Sequence, residues 1–166
     1  MREMTPRPPE WIDTAPIKTR ASREIRATPD QVWAALVDLE RWPEWFDALA
    51  RAESTGGEGL GSTRSVWIRS WRIDEEFIIW DEPTSFGFTV LAADGPIGRF
   101  AQTLNERVDV QVLAPDRVRV TYLQGWDPRS GLAARVLKLT AKGMTKNLRA
   151  ALAALADHLE RERKKA

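Results

Sequence analysis

The stretch Ile25-Arg26-Ala27-Thr28-Pro29-Asp30-Gln31-Val32-Trp33-Ala34-Ala35-Leu36-Val37-Asp38, followed by Trp42-Pro43-Glu44-Trp45, decides the fold. It ends an extended segment and opens a helix. Thr28 is a good helix cap, and Pro29 suits the first helical position, where its missing N–H is not needed. Asp30 and Gln31 belong in a first turn. Val32, Trp33, Leu36, Val37 and Leu39 then recur at helical spacing. A second short helix is expected around Trp42-Pro43-Glu44-Trp45-Phe46, its aromatic side chains either anchoring it to the end of a sheet or, at Phe46, reaching toward a ligand.

Before this stretch, Ile17 to Ala27 reads as a strand. After the glycine-rich turn Ser54 to Gly61 come five more strand candidates: 62–69, 71–80, 85–92, 100–112 and 117–126. Their breaks are short and carry Asp81-Glu82-Pro83, Asp94-Gly95-Pro96 and Ala114-Pro115-Asp116, so neighbours are expected to run antiparallel. The chain closes with a helix from about Ser130 to Glu162. Leu137, Ala141, Met144, Leu148, Ala151, Leu152, Leu155 and Leu159 form its apolar stripe. Leu132, Val136 and Leu139 lie off that stripe and give the first part of the helix a second apolar side. The order predicts an α+β fold in which a curved antiparallel sheet of about six to seven strands wraps a long C-terminal helix, with two short helices between the first two strands.

The opening phrase, together with Trp80-Asp81-Glu82-Pro83 leading into Phe86-Gly87-Phe88 and the closing Leu148-Arg149-Ala150-Ala151-Leu152-Ala153-Ala154-Leu155, resembles the START-like (Bet v 1-like, helix-grip) superfamily. Its bacterial polyketide cyclase/dehydrase and lipid-transport (SRPBCC) branch is the nearest in pattern. The resemblance spans about residues 17–160, so residues 17–166 are expected to form one START-like domain and residues 1–16 an extended proline-rich tail. It implies a ligand cavity, and it covers ligand carriers, receptors and aromatase/cyclases alike.

Composition bounds the chemistry. The 166 residues fit one domain, and the formal net charge of +1 gives no global push toward nucleic acid. There is no cysteine, which removes disulfides, thiolate metal sites and cysteine nucleophiles and fits a cytoplasmic location. A single histidine rules out a multi-histidine metal centre, and no metal site is expected. Neither a dinucleotide glycine fingerprint nor a P-loop is present, so no cofactor is expected. No signal peptide or integral membrane segment is expected. Oligomeric state is left open.

Strand alternation nominates the inward side chains. Val66, Ile68, Phe77, Ile79, Phe88, Val90 and Tyr122 are expected to face Met144 and Leu148 of the closing helix. Small Ala141, Gly143 and Ala151 opposite these bulky residues are expected to leave an apolar void. Glu75 and Glu106 share the inward parity. Each is either a buried carboxylate of raised pKa fit for acid–base work, or a partnered glutamate at the mouth; a single bulge would reverse the parity. Arg64, Arg69 and Arg72 flank Trp67 and Trp71, either to hold a carboxylate or enolate or to cover the indoles in solvent. His158 is expected at the surface or as a helix cap. Arg135, Lys138, Lys142, Lys146 and Arg149 make a basic stripe, read as a solvated face unless it meets an acidic partner or anionic lipid. The leading function is the binding or transport of a small hydrophobic molecule (a lipid, polyketide or aromatic metabolite). A polyketide aromatase/cyclase-type enzyme and a protein-interaction module are the alternatives.

Overall fold

Thr28 starts the first helix of the computed structural model, which describes residues 1–165. Its hydroxyl accepts from the Gln31 N–H while the Gln31 side chain accepts from the Thr28 N–H, a reciprocal cap for α1 (Pro29–Val37). A 3₁₀ segment (Leu39–Glu44) follows directly. Before them lie β1 (Arg2–Glu3), a 3₁₀ turn (Pro9–Thr14) and β2 (Ile17–Ile25). After them come β3 (Leu49–Ser54), β4 (Thr63–Ile68), β5 (Trp71–Asp81), β6 (Ser85–Ala93), α2 (Gly95–Phe100), β7 (Ala101–Ala114), β8 (Arg117–Pro128) and α3 (Gly131–Lys165).

The strands form one antiparallel sheet in the order β2-β8-β7-β6-β5-β4-β3, with β1 added on β6. This is the helix-grip arrangement the sequence predicts. α3 is helical throughout, Gly143 included, and runs along β2 and β8. Its buried side chains, Ala133, Leu137, Leu148, Ala151, Leu152, Leu155 and Leu159, follow the predicted stripe, with Met144 partly buried beside them. The middle of the sheet is covered largely from α1 instead. Trp33 packs edge-on against Trp80 at 5.4 Å and against Phe86 at 6.2 Å, and Phe77 packs edge-on against Trp80 at 5.0 Å.

Residues 1–16, expected as an extended tail, dock on the sheet. β6 and β7 pair only over Ser85–Thr89 and Asn105–Asp109 and then splay. The N-terminal segment fills that gap. Arg2 and Glu3 pair with Ala93 and Ala92, the Met4 N–H donates to the Leu91 carbonyl, and the Thr5 N–H donates to the Gln102 carbonyl. Asn105 Nδ2 donates to the carbonyls of Arg7 and Pro8. Residues 9–14 then coil into the 3₁₀ turn, with Ile12 1% exposed. That turn sits so close to β8 that a Cβ at Gly125 would lie 2.9 Å from both Ile12 and Ala15. The four prolines exclude regular helix here, but they leave the N–H groups of Met4 and Thr5 free to close the split.

Candidate functional site

Two carboxylates, Glu75 and Glu106, lie inside the sheet, where the alternation placed them, and Arg64 is buried with them. Arg64 and Glu75 are direct cross-strand partners of β4 and β5, and Arg64 Nε donates to Glu75 Oε2 at 2.6 Å. Both are buried, Arg64 to 1% exposure. The guanidinium carbon lies 4.5 Å from the centroid of Trp42, 4.5 Å from that of Phe88 and 4.8 Å from that of Phe77. These ring faces favour the cation where water is excluded. Arg64 Nη1 has no hydrogen-bond partner. Burial raises the Glu75 pKa, against the pull of the Arg64 charge and hydrogen bond.

Glu106 on β7 lies between Phe88 of β6 and Gln124 of β8. Its carboxylate accepts from the Tyr122 hydroxyl and, at 3.0 Å, from Gln124 Nε2; Gln124 Oε1 in turn accepts from the Thr19 hydroxyl at 2.9 Å. Burial, and then the Glu75 charge, push the Glu106 pKa up to about 7, against those two hydrogen bonds and the Arg64 charge. Burial, and then the Glu106 charge, push the Tyr122 hydroxyl pKa well up. Glu106 is therefore poised to gain or lose a proton near neutral pH, with Tyr122 held as a neutral donor beside it.

Two hollows adjoin this polar line. One is an apolar void of about 20 Å³ between Trp42, Trp45, Phe46, Phe86, Tyr122 and the α3 residues Ala151 and Leu155. That is room for about one water. The other is an open cleft of about 650 Å³ between the end of α1, the start of the 3₁₀ segment and the β3–β4 loop. Val37, Leu39, Phe77 and Trp80 supply its apolar lining, with Ser62, Thr63 and Arg64 among its polar residues. Of the small α3 residues expected to face a void, Ala151 lines the small one, whereas Gly143 is exposed and has nothing within 4 Å of a would-be Cβ. The tryptophans of the 3₁₀ region wall the small void opposite Ala151. Trp42 and Trp45 are 5% and 6% exposed, and Trp42 Nε1 donates to the Leu36 carbonyl at 2.9 Å. They anchor the segment, and Phe46 stacks on Trp45 at 5.8 Å and lines the small void.

The predicted site residues thus divide. Arg64 and Phe77 line the cleft, Phe46 and Tyr122 line the void, and Glu75 and Glu106 belong to the polar line between strands. Val66, Phe88, Val90 and Leu148 are packed core, with Ile68 and Met144 at its margin. Ile79 does not face inward. A bulge between Phe77 and Ile79 shifts the register, so Trp80 rather than Ile79 takes the inward position opposite Phe86. Arg69 and Arg72 stay outside. Arg72 pairs with Asp74 and, with Arg51, flanks the Trp67 ring. His158 is buried rather than exposed. The 3₁₀ segment closes over the end of α3 through an Arg41–Glu162 ion pair at 3.4 Å, and burial, then the Arg41 charge, lowers the His158 pKa. Alternation found the inner carboxylates; the cleft wall at Val37, Leu39 and Trp80 was missed, because helix ends and bulges carry no period to read. Among the described residues no group of His, Asp and Glu side chains is arranged to hold a metal, and no helix is long and apolar enough to cross a membrane.

Solved structures share this architecture at low identity. A norcoclaurine synthase of Thalictrum flavum superposes with TM-score 0.69 at 14% identity, covering 89% of this chain and 96% of its own. An aromatase/cyclase of Streptomyces does so with TM-score 0.68 at 16% identity, covering 87% and 94%. A START superfamily protein of Mycobacterium smegmatis gives 0.68 at 14%, covering 86% and 98%. At such identities the likeness establishes the fold alone. Among curated proteins, uncharacterized proteins of Mycobacterium tuberculosis and Mycobacterium bovis are 35% identical over 81 residues, 47% of this chain and 48% of theirs. The matched region thus spans about half the length of those relatives. The pattern of the polyketide cyclase/dehydrase and lipid transport family matches residues 16–160, and with the helix-grip sheet around α3 this places the chain in that family.

Proposed function

We propose that the chain binds a small, largely apolar molecule whose polar end is a neutral hydrogen-bond acceptor such as a carbonyl oxygen, seated in the cleft over Phe77 and Trp80. The observation that carries this is Arg64: a buried guanidinium among the residues that line the cleft beside Phe77 and Trp80, with Nη1 unpartnered. A buried donor without an acceptor is unfavourable by about 1–3 kcal/mol, so an acceptor delivered there gains that much in binding. The Glu75 carboxylate already balances the Arg64 charge. A ligand carboxylate would be repelled by Glu75 and by Asp38, Glu40 and Glu58 of the cleft lining, whereas a ketone, ester or enol oxygen would not. The cleft volume falls in the range of small-molecule sites. The family's association with polyketides and lipids, both carbonyl-bearing and apolar, supports the reading. The cysteine-free composition supports a cytoplasmic setting.

A specific observation favours a second reading, an aromatase/cyclase-type activity. Glu106, with a pKa near 7 and Tyr122 beside it, is the group that would move protons on a bound polyketide. The binding test compares a long-chain methyl ketone, the matching alkane and the matching fatty acid by tryptophan fluorescence, since Trp80 lines the cleft. The ketone is expected to bind most tightly. Replacing the pair together, Arg64→Met with Glu75→Leu, is expected to erase the preference for ketone over alkane without unfolding the chain, because a buried ion pair exchanged for apolar groups is often neutral in stability. Equal binding of ketone and alkane to the unaltered protein would refute the proposal.

A further inference from the structure

The first half of α3 carries two outward features that the cleft does not use. Leu132 and Leu139 are 70% and 83% exposed. On a helix of about 3.6 residues per turn they lie on the side opposite buried Leu137 and Leu148. Arg135, Lys138, Lys142 and Lys146 run along one flank of that apolar ridge, and Arg149 continues it. None of these five side chains makes an ion pair or a side-chain hydrogen bond among the described residues, whereas Arg163, Lys164 and Lys165 at the other end of the same helix all pair with Glu160 or Glu162. No Asp or Glu occurs from Pro128 to Ala156, and the chain's net charge is only +1, so the remainder of the molecule is net acidic. The protein is thus electrically polarised, with its positive side centred on an exposed apolar ridge.

We infer that this face of α3 docks on an anionic phospholipid surface, with Leu132 and Leu139 entering the headgroup–acyl boundary and the lysines and arginines meeting lipid phosphates. Three features favour this occupant. The ridge is convex and two leucines wide, which suits shallow insertion but gives no buried core of the size a stable protein interface needs. Lysine and arginine stems flanking leucines can lie along the apolar boundary while their charges reach the headgroups. The acidic remainder is repelled by the same surface, so the field turns this face toward it. Nucleic acid would match the charge and leave the leucines exposed to water.

The test is flotation of the full chain with vesicles of phosphatidylcholine alone and of phosphatidylcholine with phosphatidylserine. Binding is expected only with phosphatidylserine and is expected to weaken as salt is raised. Each basic group near such a surface contributes roughly fivefold. Lys138→Gln, Lys142→Gln and Lys146→Gln together should therefore weaken partitioning on the order of a hundredfold. Leu132→Ser with Leu139→Ser should weaken it independently of salt. All five positions are exposed, so both variants should melt with the parent protein. The inference is overturned if the parent fails to float with phosphatidylserine vesicles, if either variant floats like the parent, or if RNA but not vesicles is bound. Failure here would leave the cleft proposal standing, because the ketone titration is done without vesicles.

Discussion

Replacing Glu106 by glutamine isolates what an inward carboxylate does to this fold. Glu106 is 8% exposed and its pKa is pushed up to about 7, by burial and then by the Glu75 charge. In the unfolded chain a glutamate titrates near about 4.3. Between those values the folded protein holds more protons than the unfolded one, so stability falls as pH rises through that window and levels off above about 7. At about 1.4 kcal/mol for each tenfold change in proton affinity, the full Glu106 contribution is about 4 kcal/mol, of which about 3 kcal/mol develops between about pH 5 and about pH 8. This is a sizeable part of the roughly 5–15 kcal/mol that holds a domain together. Glu75, also raised by burial, acts with the same sign. His158, whose pKa is lowered, acts with the opposite sign as pH rises to its unfolded value, but it does so equally in parent and variant. Glu44, Asp94, Glu160 and Glu162 have lowered pKa values, so their stabilisation is lost only as pH falls below the ordinary carboxylate range. The assay is urea unfolding followed by tryptophan fluorescence at a series of pH values. The difference in stability between Glu106→Gln and the parent is expected to move in the variant's favour by about 3 kcal/mol from about pH 5 to about pH 8. The amide oxygen still accepts from Tyr122, so the local geometry survives. A difference that stays flat across the window would show that Glu106 is ionised throughout, and would remove the basis for a proton-transfer role.

Two further perturbations test the frame around the site. Leu148→Asp sets a charge where a 5% exposed leucine packs between α3 and the sheet, and is expected to lower stability by more than about 4 kcal/mol, read as a loss of cooperative melting; Met144→Asp, at a partly buried position, should be milder. Deleting residues 1–14 removes buried Met4 and Ile12 and reopens the split between β6 and β7. It is expected to lower stability by about 3–6 kcal/mol, and a truncated chain melting within a few degrees of the parent would refute that account of the N-terminal segment.

The helix-grip order was legible because its elements are long and periodic. The strand alternation of β7 and β8 and the stripe of α3 each repeat one local rule several times, so no single residue decides them. The misreadings fall where one residue does. One bulge on β5 turned Ile79 out and Trp80 in. Four prolines read as a tail, though the N–H groups of Met4 and Thr5 were enough to dock it. The short strand β3, exposed along most of its length, has no inward pattern to read, and Asp94-Gly95-Pro96 read as a turn where α2 begins. His158 sits at the edge of the α3 stripe, and only the later fold of the 3₁₀ segment over that end buries it. Glu106 and Glu75 were found by parity. Their partners were not, because a hydrogen bond from Tyr122 or a cross-strand arginine depends on register, which the sequence leaves open by one residue.

The aromatic residues account for how little enclosed space lies between the helices and the sheet, where the apolar void is only about 20 Å³. Four of the eight tryptophans, Trp33, Trp42, Trp45 and Trp80, lie on the side of α1 and the 3₁₀ segment, three of them buried and the fourth packed against the core. A tryptophan brings the largest side-chain volume in the shortest lever, so a few of them fill the grip that a long helix over a curved sheet would leave hollow. The larger, open hollow lies at the rim, where α1 ends and the β3–β4 loop begins. Arg64 stands at that boundary. Its guanidinium is packed against the rings of Trp42, Phe77 and Phe88 and bonded to the Glu75 carboxylate, and its buried Nη1 has no hydrogen-bond partner. A hollow interior would let a ligand reach Glu106 directly. Arg64 is among the residues that line the cleft and Glu106 is not, so a guest seated there is placed to meet Arg64 rather than Glu106.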